Sequence, residues 1–70
     1  MKLNYYPDID SLYIDLSSKP GSESREVSEG VVHDYDAEGN LVGIDTDNAS
    51  RKLDLGELVT NHIPLVKKSA

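Results

Sequence analysis

Cysteine, tryptophan and phenylalanine are absent from this 70-residue chain, and no apolar run approaches the length needed to cross a bilayer. Without cysteine there are no disulfides, no thiolate zinc sites, no iron–sulfur clusters and no thiol nucleophile. Such usage fits a cytoplasmic protein. No charged opening followed by an apolar stretch marks a secretory signal. Basic residues are also few. Seven Lys and Arg stand against thirteen Asp and Glu, for a net charge of −6. That field repels phosphate backbones and argues against direct nucleic-acid binding. Neither half of the chain is basic: residues 1–35 hold seven acids and three bases, residues 36–70 six acids and four bases. An acidic surface serves solubility and suits a basic protein partner.

What remains is one small domain, expected over residues 1–64, with residues 65–70 as a frayed tail. A chain this short buries only about 60% of the surface its unfolded form exposes, so its core is thin. The chain reads as short strands punctuated by turn chemistry. Lys2–Tyr6 is a strand candidate stopped by Pro7-Asp8-Ile9-Asp10. In Ser11–Leu16 the period is two: Leu12, Ile14 and Leu16 point one way, Ser11, Tyr13 and Asp15 the other. Glu23–Ser28 is charged and reads as an edge strand. Val31–Tyr35 and Leu41–Asp45 flank Asp36-Ala37-Glu38-Gly39-Asn40, which predicts a hairpin with Gly39 at positive φ. Gly43, inside a strand, marks a bulge or a close backbone approach. Asp47–Ser50 reads as a turn or a single helical turn. Asp54 and Glu57 have capping-box spacing, and Leu55, Leu58 and Val59 share a helical face, so a short helix is expected from about Leu55 to about His62. The fold class is α+β: a small antiparallel, mostly meandering sheet of four or five strands with one short C-terminal helix on one face.

Three stretches together resemble a bacterial family of small proteins, domain of unknown function 2283. They are Tyr6-Pro7-Asp8-Ile9-Asp10-Ser11-Leu12-Tyr13-Ile14-Asp15-Leu16, then Gly30-Val31-Val32 through Asp34-Tyr35-Asp36 with Gly39-Asn40-Leu41-Val42-Gly43-Ile44-Asp45, then Asn48-Ala49-Ser50-Arg51-Lys52-Leu53. The resemblance spans roughly residues 2–53 and departs from the family's more apolar pattern at Thr46-Asp47-Asn48. It implies no established activity and no catalytic residues. It does imply a place as the small partner in two-gene pairs of toxin–antitoxin type.

Side-chain chemistry offers few reactive constellations. His33 and Asp34 are adjacent, so on a strand they point to opposite faces and cannot form a dyad. His62 lies where it can cap helix carbonyls. No serine sits in a nucleophile elbow, and no phosphate-cradling glycine loop is present. Asp8 and Asp10 flank a turn, but acid–base work needs a cleft that raises one pKa. Asp34, Asp36, Glu38, Gly39 and Asp45 fall at positions one, three, five, six and twelve of a calcium-loop count. The same residues serve as ordinary turn formers. All four tyrosines, Tyr5, Tyr6, Tyr13 and Tyr35, lie in strand candidates. Tyr13 and Tyr35 are the candidate binding residues, because tyrosines favour interfaces and Tyr13 stands opposite the apolar face of its strand.

The expectation is therefore a non-catalytic protein-binding module without a cofactor, an antitoxin-like partner of a basic protein, with self-association into a homodimer. The alternative is a small-ligand or metal-binding domain built on the acidic hairpin Asp34–Asp45.

Overall fold

The computed structural model describes residues 1–65. The expected frayed tail, apart from Leu65, lies outside the described residues. Five strands follow one another: β1 (Lys2–Tyr6), β2 (Ser11–Asp15), β3 (Glu23–Ser28), β4 (Val31–Tyr35) and β5 (Leu41–Asp47). A four-residue helix, α1 (Ala49–Lys52), comes after them. The strands form one antiparallel sheet in the order β1-β2-β5-β4-β3. A β1–β2 hairpin thus lies beside a β3–β4–β5 meander, and the two are joined where β2 pairs with β5.

Register sorts the side chains into two faces. One face carries the rows Leu3, Ile14, Ile44, His33 and Tyr5, Leu12, Thr46, Val31. The other carries Asn4, Tyr13, Asp45, Val32 and the row Asp15, Gly43, Asp34, Ser24. The alternation read from Leu12 and Ile14 is therefore the alternation of the sheet. Burial is slight: the buried apolar residues are Leu12, Val42 and Ala49. Charged Glu23–Ser28 is an edge strand, as its composition requires, and its pairing slips between Glu26 and Ser28. The acidic turn forms as its residues dictate, with Asp36 N–H donating to Asn40 O at 2.9 Å and Gly39 at φ +86°.

The helix differs in place from the expectation. It occupies Ala49–Lys52, overlapping at Ala49 and Ser50 the stretch Asp47–Ser50 that reads as a turn or a single helical turn, and no helix forms between Leu55 and His62. The capping-box spacing yields only a turn, Glu57 N–H to Asp54 O at 3.3 Å. Gly56 lies in what would be the first helical turn, His62 adopts φ +59°, and Pro64 follows. So short a segment cannot offset the cost of helix nucleation. Leu53, Leu55 and Leu58 nonetheless line one groove with Leu3, Tyr5 and Leu12.

Gly43 shows both features that a glycine inside a strand predicts. The β4–β5 register shifts beside it, between Asp34 and Tyr35. A Cβ at Gly43 would fall into the Tyr13 phenol, 2.7 Å from Cζ. Gly43→Ala is expected to destabilise the fold by roughly 1–3 kcal/mol, the usual cost of overpacking, measured by urea unfolding. In a Tyr13→Ala background the same change costs less, because the clash is gone. Equal costs in both backgrounds contradict this account.

Candidate functional site

The turn between β1 and β2 ends on Asp10, held at φ +51°. Its carboxylate accepts three hydrogen bonds: from Tyr5 Oη at 2.8 Å, Ser50 N–H at 3.0 Å and Ser50 Oγ at 2.6 Å. Its backbone carbonyl accepts from Ala49 N–H at 2.9 Å. The first turn of α1 is therefore capped from forty residues away rather than by Asn48, whose side chain makes no cap. These bonds hold the Asp10 carboxyl below the usual aspartate value, the Ser50 and Tyr5 hydroxyls contributing most. At the other end of α1, Lys52 Nζ donates to Glu29 O at 2.9 Å. The helix thus bridges the β1–β2 turn and the β3–β4 turn. Residue order gives no signal of this junction; Asp10 reads as a turn former, and its partner is distant in sequence.

On the polar face, the Tyr13 side chain crosses β5 over Gly43, and its hydroxyl donates to Asp34 Oδ2 at 3.0 Å. Ser24 Oγ donates to Asp34 Oδ1 at 2.5 Å. Partial burial, followed by the Asp34 carboxylate, raises the Tyr13 phenol above its usual range. Ser11 Oγ donates to Asp45 Oδ1 at 2.8 Å. Tyr13 is half-buried within its own sheet, stitching β2 to β4. Tyr35 lies on the opposite face, with the Arg25 guanidinium 5.3 Å above its ring and His33 Nδ1 3.4 Å from its hydroxyl. The two candidate tyrosines do not share a surface.

Three of the four carboxylates of the acidic hairpin, Asp34, Asp36 and Asp45, also serve separate partners. Asp36 is buried and accepts from Glu38 N–H at 2.9 Å, Asn40 N–H at 2.8 Å and Asn40 Nδ2 at 3.1 Å. Those bonds, led by the Asn40 backbone, hold its carboxyl below the usual value. Asp34 and Asp45 are engaged across the sheet by Tyr13, Ser24 and Ser11. Among the described residues no group of three or more His, Asp or Glu is placed to hold a metal ion.

The concave feature with an apolar lining lies on the other face. Leu53–Leu58 passes over β1 and β2 and leaves a groove of about 420 Å³ lined by Leu3, Tyr5, Leu12, Leu53, Leu55 and Leu58. Asp54 and Glu57 also line it. Leu58 is 72% exposed and Leu55 41% exposed, so the groove is open to solvent. The periodicity of Leu55 and Leu58 shows an apolar strip, but only the structure shows it folded back on Leu3 and Tyr5.

Two outcomes follow from these carboxylates. Asp10 and Asp36 titrate below their ordinary value of 3.8 in the folded protein. Their stabilising effect is complete above that value and is lost as pH falls through the lowered folded values. Ser50→Ala moves the Asp10 carboxyl titration, followed by ¹³C NMR, up toward 3.8 and shifts acid unfolding to higher pH; an unmoved Asp10 titration contradicts the assignment. Adding sub-millimolar calcium leaves the amide shifts of Asp34, Asp36, Glu38 and Asp45 in place. Saturable shifts confined to this hairpin would restore the cation reading.

No curated protein matches the chain, and neither does any solved structure. A family model does match, over residues 2–50, which takes in all five strands and ends on Ser50 at the Asp10 junction. By that match the chain belongs to the family described as protein of unknown function (DUF2283).

Proposed function

We propose that this protein is a non-catalytic protein-binding module whose partner is basic. The observation that carries the reading is the open leucine-lined groove, with Asp54 and Glu57 in its wall, on a chain of net charge −6. A segment with apolar anchors and flanking Lys or Arg complements it in both shape and charge. An antitoxin-like role fits this surface: a small acidic chain covers the basic, nucleic-acid-directed surface of its partner. The cysteine-free composition suits the cytoplasm. A specific complex needs roughly 1,200 Å² of total buried surface, more than the groove alone supplies, so the partner extends beyond it. The absence of a catalytic role is supported by the carboxylates themselves. Asp10, Asp34, Asp36 and Asp45 each accept hydrogen bonds that build the fold.

Pull-down from the native cell at low salt is expected to recover one stoichiometric basic protein. Capture weakens as ionic strength rises, because steering by a −6 surface is screened. Leu58→Asp, at an exposed groove position, abolishes capture while leaving the circular dichroism spectrum unchanged. Undiminished capture by that variant, or retention of a small molecule and no protein, overturns the reading.

A further inference from the structure

The two edges of the sheet are unequal. The β3 edge carries Glu23, Arg25 and Glu26 and is bent by its register slip, devices that discourage pairing with another strand. The β1 edge has none of them. Its five residues, Lys-Leu-Asn-Tyr-Tyr, are all exposed, and it is the strand of this acidic chain that contains no acid. Among the described residues nothing pairs with its outer side.

We infer that β1 is a self-association edge, on which a second copy of this chain adds its own β1 in antiparallel register centred on Asn4. The occupant is set by self-complementarity. Antiparallel pairing about Asn4 places Leu3 of each copy opposite Tyr5 of the other on the groove face. It places Lys2 of each opposite Tyr6 of the other on the second face, and Asn4 opposite itself on the two-fold axis. Every pair is apolar–aromatic, cation–aromatic or amide–amide, and no like charges oppose. Pairing that keeps the faces matched can shift only by two residues. A shift one way brings Pro7, which has no N–H, opposite Leu3; a shift the other way leaves Tyr6 without a strand residue opposite it. The Asn4-centred register alone uses all five residues. It joins two five-stranded sheets into one of ten and sets the two leucine-lined grooves side by side on the same face. Pairing of two five-residue strands buries less than the roughly 1,200 Å² at which stable specific interfaces begin, so the dimer is weak, reversible and concentration-dependent.

The test uses the full chain without any partner. Light scattering across a dilution series is expected to rise from the 7.7 kDa monomer to twice that mass between low and high micromolar concentration. Because the chain has no cysteine, Asn4→Cys introduces a single thiol. Residues opposed on an antiparallel ladder lie within disulfide reach, so this variant cross-links to a dimer under mild oxidation. Glu23→Cys, on the other edge, keeps the β1 pairing but does not cross-link. Asn4→Glu opposes like charges on the axis and raises the dimer dissociation constant roughly five-fold, with the monomer's circular dichroism unchanged. A monomer mass at high micromolar concentration overturns the proposal. So does a dimer that cross-links equally through both cysteines or is indifferent to Asn4→Glu.

Discussion

The carboxylate of Asp10 is the contact on which the arrangement of this molecule depends. It collects Tyr5 from β1 and Ser50 from α1, while its own backbone carbonyl takes the Ala49 N–H. The turn of a hairpin is thereby fixed to the start of a helix forty residues later. A helix of four residues has no independent stability, so α1 exists because this cap and the Lys52 contact to Glu29 hold both its ends. Its placement sets the path of Leu53–Leu58, which in turn creates the groove.

Polar contacts carry so much of the structure because there is little interior. With Leu12, Val42 and Ala49 as the buried apolar side chains, a single-layer sheet lacks the packed second layer of larger domains. Side chains on the polar face act as cross-ties instead. Tyr13 spans from β2 to Asp34 on β4, and it can do so because Gly43 offers no side chain beneath the ring. The groove face keeps half-buried apolar side chains such as Ile14 and Ile44, which adds to the surface a partner can cover.

The strands were legible in the sequence because their signals are local. Period-two alternation in Ser11–Asp15, β-branched residues in Val31–Tyr35 and turn formers in Asp36–Asn40 each act over a few residues. The order of the strands was not legible, since the seam between β2 and β5 depends on residues about thirty positions apart. The same is true of the candidate site. Gly43 shows in sequence that something approaches its backbone, but not that Tyr13 does. The Asp54 and Glu57 spacing indicates a helix start, but Gly56 in the first turn and Pro64 beyond it leave a segment too short to offset helix nucleation. Asp36 illustrates how one residue type supports two readings. Its spacing suits a cation, while its oxygens are taken by the amides of its own turn.

The strand order also governs how the chain reaches this state. The β1–β2 hairpin and the β3–β4–β5 meander each close through contacts near in sequence, steps completed within microseconds. Only the β2–β5 seam requires the two units to meet, with the intervening chain as the tether. Closing that tether costs entropy that grows only logarithmically with its length. The segment from Leu16 to Ser22 can therefore vary in length with little effect on stability, whereas the transition state for folding must assemble the long-range seam. The Asp10–Ser50 contact lies across the same divide, tying the β1–β2 turn to the helix that follows β5.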